Sequence, residues 1–196
     1  MPYFTKTPLA KASLLATLMT LPLTAVAAEP AQLAATYVQE NVAAWANDPA
    51  LVTALLQQNE AHASLSQGDI DSLDLLWRAE TGSADSDLIK SVLNNDASAF
   101  LAEKVIAAGG TITEVFVMDN RGLNAAASVV TSDYWQGDEA KFTETYPKGP
   151  TAMHVGDVEY DESTLTYQIQ VSFPVVNPAD GTAIGAITVA LNAEMM

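Results

Sequence analysis

The hydrophobic pattern of this chain changes its period at Gly109-Gly110, from the 3.6 residues of a helix to the two residues of a strand. Before this point, Ala34, Val38 and Val42 recur along one helical stripe. After it, apolar and polar residues alternate in short runs. Helices first and strands afterwards predict an α+β domain, with N-terminal helices packed on an antiparallel sheet.

Capping residues divide the helical part into several helices. Asp48 is suited to cap a helix that begins with Pro49, because proline fits the first helical position. Asp69 is predicted to cap the following helix. Further helices are expected over 88–93 and 97–108, and the glycine pair then ends the helical part.

The strand part contains two hairpins and an insert. Strands are predicted at 113–119, 124–130, 153–160, 166–173 and 183–191. Asn120-Arg121-Gly122 and residues 177–181 are turn sequences. The insert Thr131–Pro150 lies between the second and third strands and is expected to contain a short helix over 138–145. Odd-numbered residues from 167 to 173 should face one side of the fourth strand, and Gln168, Gln170 and Ser172 the other.

Residues 1–28 have the features of a signal peptide. Lys6 and Lys11 form a basic start, an apolar run covers 14–23, and cleavage after Ala27 or Ala28 would fit. The apolar run is shorter than the roughly 20 residues that span a bilayer. We therefore expect a periplasmic or secreted protein whose residues 29–196 form a single domain, with an uncleaved anchor as the alternative.

The chain is strongly acidic. Its formal net charge is −16, and loss of Lys6 and Lys11 with the leader would make it −18. Nucleic acid is not expected as a partner, because phosphate binding needs clustered Lys and Arg. The acidity is typical of a solubility surface or of a protein that attracts cationic ligands, and the sequence leaves both interpretations open.

Catalytic and metal-binding patterns are missing from the sequence. The chain has no cysteine, and it lacks Gly-x-Ser-x-Gly, His-Glu-x-x-His and a phosphate-binding glycine loop. His62 and His154 stand alone, without a second imidazole or a carboxylate at ligand spacing. The acidic residues of 157–162 do not follow the calcium-loop pattern. The sequence therefore predicts no enzyme activity, no metal and no cofactor.

The strand part resembles the extracytoplasmic Cache family, also called PAS-like or PDC sensor domains. The resemblance lies in the hairpin Val115-x-Val-x-Asp-x-x-Gly122, in the insert motif Thr131-Ser-Asp-Tyr-Trp135, and in the ending Ser172-Phe-Pro-Val175, Asp180-Gly181 and Ile184-Gly-Ala-Ile187. It covers about 31–191 in architecture and 115–191 in motif.

The resemblance implies a fold, a ligand site and partners. It implies a long N-terminal helix beside a five-stranded antiparallel sheet, with the ligand between the sheet and the insert. It also implies a small ligand such as an amine, an amino acid or a small carboxylate, and a membrane receptor or histidine kinase as signalling partner. Homodimers through the N-terminal helix are common in such sensors. Where amino-acid-binding members carry Arg-x-Trp-Tyr, this chain has Gly137–Phe142, with Lys141 as the nearby cation.

Eight residues are predicted to contact the ligand. They are Asp133, Tyr134, Trp135, Asp138, Lys141, Tyr146, Tyr167 and Ser172. Seven of them also have a structural alternative: a core position for the four aromatic residues, capping of the short helix for Asp133 and Asp138, and a solvated charge for Lys141.

Two functions follow from these observations. The first is an exported sensor that binds a metabolite and signals through a membrane-bound partner. The second is a protein-interaction module of the same fold without a ligand. An open pocket lined by Asp133 and Tyr134 would favour the sensor, and a pocket filled by Trp135 would favour the interaction module.

Overall fold

The structure, a computed structural model, describes residues 1, 3, 29–83, 85–161 and 164–196. Six α-helices lie in this part: α1 Pro30–Asn41, α2 Pro49–Ala61, α3 Gln67–Glu80, α4 Asp87–Leu93, α5 Asp96–Ala107 and α6 Ala140–Thr143. Two short 3-10 helices lie at Ala43–Asn47 and Tyr146–Lys148. Among the described residues, no helix has the length and apolar character that a membrane crossing requires. Residues 4–28, on which the signal-peptide prediction depends, lie outside the described part.

Five strands form one sheet. They are β1 Ile112–Met118, β2 Asn124–Ala127, β3 His154–Asp161, β4 Thr166–Val176 and β5 Ala183–Asn192. Their order is β2-β1-β5-β4-β3, and every neighbouring pair is antiparallel. The predicted fold class is therefore confirmed: helices pack on a five-stranded antiparallel sheet.

The sheet is covered on both faces. On the helix face, alternating strand residues such as Val115, Val171 and Val189 pack in one buried cluster with Leu51 of α2 and Leu101 of α5. On the opposite face, called here the lid face, a second cluster forms. It contains Phe116 and Met118 of β1, Ala186 of β5, Trp77 of α3, and Tyr134 and Phe142 of the insert. The insert thus covers one side of the sheet as α1, α2 and α5 cover the other.

Capping side chains set the starts of the helices. Asp48 caps α2 as predicted, since its carboxylate accepts a hydrogen bond from the Ala50 N–H at 2.9 Å. The prediction for Asp69 is wrong in detail. Ser66 is the cap of α3, and Asp69 lies one turn inside, where it accepts the Ser66 N–H at 2.8 Å in a capping box.

Buried Asp119 joins the β1–β2 hairpin to α2. One carboxylate oxygen accepts the backbone N–H groups of Arg121 at 2.8 Å and Leu123 at 3.0 Å. The other oxygen accepts a hydrogen bond from Gln58 Nε2 at 3.0 Å and lies 2.8 Å from His62 Nδ1. His62, which has no carboxylate at ligand spacing in the sequence, thus has a carboxylate partner 57 positions away in the chain.

Candidate ligand-binding site

The insert forms a lid (residues 131–150) over the lid face of the sheet. Trp77 of α3 donates from its indole N–H to the carbonyl of Thr131 at 2.8 Å, and its ring stacks on Tyr134 with centroids 5.3 Å apart. Further along, Arg78 pairs with Asp133 at 3.0 Å. The start of the lid is therefore held by α3.

Two adjoining cavities lie between the lid and the sheet. The β1 cavity has a volume of about 260 Å³ and is lined by Thr81, Glu114, Phe116, Val130, Thr131, Ser132, Gln136, Lys141, Asp161 and Gln170. The β3 cavity, of about 280 Å³, is lined by Glu139, Ala140, Lys141, His154, Gly156, Asp157, Glu159, Tyr160, Asp161, Gln168 and Gln170. Three residues, Lys141, Asp161 and Gln170, line both cavities, which together make one groove. Each cavity is slightly smaller than the roughly 300–1,000 Å³ of a typical small-molecule site, so only a ligand of a few heavy atoms would fit in one of them.

Strand register explains the floor of the β1 cavity. Ala190 of β5 pairs with Glu114 of β1 on one side and with Gln170 of β4 on the other. Paired residues of antiparallel strands share a face, so the two long polar side chains flank a fully buried alanine. The small side chain of Ala190 leaves room above the sheet between Glu114 and Gln170.

Lys141 enters the groove from α6 and is already engaged by the protein. Its side chain is 16% exposed, its Nζ lies 3.0 Å from Glu139 Oε2, and it donates to Gln136 Oε1 at 3.2 Å. The ammonium also lies 5.6 Å from the centre of the Phe116 ring, within cation–π distance. The alternative interpretation of Lys141 as a fully solvated charge is therefore wrong.

The carboxyl group of Glu114, in the β1 cavity, has a raised pKa. Burial raises its pKa from 4.5 to about 7, the positive charge of Lys141 opposes this increase, and the carboxylate of Asp161 adds to it. A half-buried carboxyl group in a cavity, with a pKa near neutrality, is typical of a functional position.

The first three predicted contact residues lie at the lid's attachment to α3 and to the β1–β2 turn, outside the linings of both cavities. Asp133 pairs with Arg78. Burial raises the pKa of the Tyr134 hydroxyl, and the charge of Asp119 raises it further. The indole N–H of Trp135 donates to the carbonyl of Arg121 at 2.9 Å. The open pocket is thus lined by other residues, and Trp135 does not fill it.

Asp138 and Tyr146 also lie outside the two linings. Asp138 is exposed, and it is not the cap of the short helix, because α6 starts after Glu139, which makes no side-chain capping bond. The capping interpretation of Asp138 is therefore wrong. Tyr146 stacks on Phe142 with centroids 5.4 Å apart, and burial raises its pKa.

The two predicted residues on β4 have opposite surroundings. Tyr167 shares a face with Ile169 and Val171, so it lies on the helix side, half exposed, with its ring against Tyr160. Ser172 lies on the lid face but is fully buried, and its hydroxyl is 2.9 Å from the hydroxyl of Thr188. Of the eight predicted residues, only Lys141 lines the groove.

Sequence reasoning missed Glu114, Gln136, Asp161 and Gln170. The alternation on β4 did indicate that Gln170 points away from the helices. It gave no sign that this face is covered, and a polar strand face usually faces solvent. Among the described residues, no group of three or more His, Cys, Asp or Glu side chains is arranged to hold a metal ion.

The chain matches no family model and no curated protein. It is similar to the ligand-binding domain of Campylobacter jejuni chemoreceptor Tlp3 in complex with 4-methylisoleucine, at 14% identity and a TM-score of 0.40, over 74% of this chain and 57% of that one. It is also similar to the V. cholerae histidine kinase DctB sensor domain, at 11% identity and a TM-score of 0.38, over 83% and 55%. A third is an extracellular ligand binding receptor from Desulfohalobium retbaense, at 17% identity and a TM-score of 0.36, over 71% and 25%.

The chain spans just over half the length of the first two of these domains and a quarter of the third. All three are sensory or ligand-binding domains by name, as the sequence resemblance implies. With TM-scores below 0.5, these similarities do not indicate what this chain binds, and only the residues of the site can do so.

Proposed function

We propose that this chain is a non-enzymatic sensory module that binds a small polar metabolite in the groove between the lid and the sheet. The observation that carries the proposal is the pair of adjoining cavities on the lid face, which share Lys141, Asp161 and Gln170. Charged and amide groups line a concave surface beneath a segment that is attached from outside the groove. Such convergent polar groups fix the orientation of a small ligand.

The position of the aromatic side chains supports a sensor over a ligand-free interaction module. Tyr134 stacks on Trp77, and Trp135 is hydrogen-bonded to the β1–β2 turn, so the large rings that could close the groove are held elsewhere. The groove is therefore open beside a well-packed apolar cluster. A fold maintained only for protein contacts has no need of such a space.

Signalling would follow from a shift between two lid positions. A ligand changes such an equilibrium only by its difference in affinity for the two states. Because Asp133 and Tyr134 bind α3 residues, a movement of the lid would be passed to α3. A membrane-bound receptor or histidine kinase is the proposed partner, and a homodimer through α1 is a further proposal. Of the large apolar residues on α1, Leu33 is the exposed one, at 42%.

Export belongs to the same proposal. Cleavage after Ala27 or Ala28 would release the module into the periplasm or the medium. Mass spectrometry of the protein from the producing cell tests this point, since a mature N-terminus at residue 28 or 29 is expected, and an intact leader would mean an anchored form.

Thermal melting tests the binding function. The purified protein is melted against amino acids, organic acids, amines and purines at millimolar concentration. A ligand at about 100 times its Kd adds roughly 2.7 kcal/mol of stability, which is a shift of a few degrees. A reproducible shift with one chemical class supports the sensor. No shift across the panel, with no small molecule bound to the purified protein in native mass spectrometry, would favour the interaction module.

A further inference from the structure

The groove is richer in carboxylates than in cations. Five carboxylate side chains line its two cavities: Glu114, Glu139, Asp157, Glu159 and Asp161. Lys141 and His154 are the basic side chains among the described residues of the two linings. The field inside the groove therefore favours a positive ligand.

Lys141 is poorly placed to receive a carboxylate from a ligand. Its ammonium group is already paired with Glu139 at 3.0 Å and bonded to Gln136 at 3.2 Å, with the ring of Phe116 on another side. An incoming carboxylate would have to displace Glu139, and it would also meet Glu114 and Asp161 in the same cavity. Like charges at such close range disfavour binding.

Glu114, in contrast, lacks a partner of its own in the cavity. Within the described residues, no hydrogen bond or ion pair engages its carboxyl group, although it lines the β1 cavity beside Gln170. A carboxylate that is partly withdrawn from solvent is destabilised unless it is paired with a cation or a hydrogen-bond donor. The cavity therefore provides both space and an acceptor for one positively charged donor.

We propose that the groove binds a small organic ammonium ion that carries no carboxylate, and that its ammonium group donates to Glu114. This inference rests on the proposed binding function and names the chemical class of the ligand. Gln170 supplies a neutral donor and acceptor for the rest of the molecule, and the Phe116 ring supplies an apolar wall. The class excludes ordinary α-amino acids and organic acids.

A proton must leave Glu114 when the ammonium ion binds below neutral pH. Burial holds the pKa of this carboxyl near 7, so the group is mostly protonated at pH 6 and mostly ionised at pH 8. The charged groups that face it are Lys141 of α6 and Asp161 of β3. Affinity for the cation should therefore rise about tenfold from pH 6 to pH 8, because the ionised fraction rises by that factor.

Isothermal titration calorimetry with four compounds, each with four carbon atoms, tests whether the ligand is an ammonium ion without a carboxylate. The probes are butane-1,4-diamine, butylamine, 4-aminobutyrate and butyrate, each titrated into the purified protein at pH 6 and pH 8. We expect the two amines to bind, 4-aminobutyrate to bind at least tenfold more weakly than butylamine, and butyrate not to bind. Stronger binding of 4-aminobutyrate or butyrate than of butylamine would overturn the inference while leaving the binding function intact.

Two variants locate the site. Glu114→Gln keeps the shape and removes the charge, so it should weaken amine binding at pH 8 at least tenfold and abolish the pH dependence. His154→Gln, which replaces the histidine of the groove, is the control and should keep the pH dependence. Unchanged affinity in Glu114→Gln would overturn the inference. Failure of both amines to bind would overturn it too, and the melting panel then decides separately whether the groove binds another class.

Discussion

Asp74 of α3 and Trp135 of the lid are joined by a hydrogen bond of 3.0 Å from the Trp135 backbone N–H to Asp74 Oδ1. The same oxygen accepts the N–H of Tyr134 at 2.9 Å, and Arg78 Nε donates to the other oxygen at 2.8 Å. Asp74 is nearly buried and lies outside the linings of both cavities. One carboxylate on α3 therefore sets the position of the lid without contacting the proposed ligand.

Removing this carboxylate should destabilise the protein. Asp74→Ala leaves two lid N–H groups without their acceptor, at a cost of about 1–3 kcal/mol each when a group stays buried. We expect a loss of about 2–5 kcal/mol in the free energy of unfolding, measured by urea denaturation. Asp71→Ala on the same helix is the control, because Asp71 is exposed and its loss should cost less than about 0.5 kcal/mol. Equal losses in the two variants would show that Asp74 does not hold the lid.

The glycine of the β1–β2 hairpin motif is required for two separate reasons. Gly122 has a φ of +82°, and a Cβ there would collide with the backbone of Gly137 in the lid. Gly181 has a similar φ of +77° but open space around it. Gly122→Ala should therefore cost about 2–4 kcal/mol, and Gly181→Ala only the backbone strain of about 1 kcal/mol. Chemical denaturation of the two variants makes the comparison, and a larger loss for Gly181→Ala would contradict the described packing of lid and turn.

The raised pKa of Glu114 has a consequence for stability. Between pH 4.5 and about 7 the folded state holds a proton on Glu114 that the unfolded chain has released, so this group's contribution to stability falls as pH rises through that window. Glu114→Gln should remove this fall. The change in unfolding free energy that the substitution causes should therefore be more favourable at pH 8 than at pH 4, by up to about 3 kcal/mol. Urea denaturation between pH 4 and pH 8 measures it, with exposed Glu103→Gln as the control. If the free energy of unfolding depends on pH in Glu114→Gln as it does in the wild type, the Glu114 carboxyl is solvated.

Lys141 should set the pH at which this change occurs. Its positive charge lowers the pKa of Glu114, so Lys141→Met should move the midpoint of the stability change to a pH above 7. Lys148→Met is a suitable control because Lys148 is 54% exposed and pairs with Glu144. Its midpoint should match the wild type. An unmoved midpoint in Lys141→Met would mean that the ammonium does not act on Glu114.

Local patterns predicted all five strands, although β2 ends at Ala127 and not at 130. The alternation from Tyr167 to Phe173 corresponds to β4, and the turn at 177–181 leads directly into β5. Both signals depend on neighbouring residues, because a strand's two faces repeat every second position. The lid was also recognised as an insert with a short helix, although α6 covers only Ala140–Thr143.

Such local patterns could not predict most of the residues that line the groove. Glu114 lies in a strand between Thr113 and Val115, where a carboxylate normally faces water. It is half-buried and lines a cavity beneath the lid together with Lys141 and Gln136, which lie more than 20 positions away in the chain. Trp135 was predicted as a ligand contact because a large aromatic residue in a polar segment must cover something. Instead, its indole N–H donates a hydrogen bond to the carbonyl of Arg121 in the hairpin turn.

Amide chemical-shift mapping shows directly whether a small molecule binds between the lid and the sheet. The isotope-labelled protein is titrated with the compound that raises the melting temperature most in the panel. We expect the largest shifts at Glu114, Gln136, Lys141 and Gln170, with little change on the helix face at Val115 or Val171. Shifts confined to the helix face, or none at saturating concentration, would contradict it.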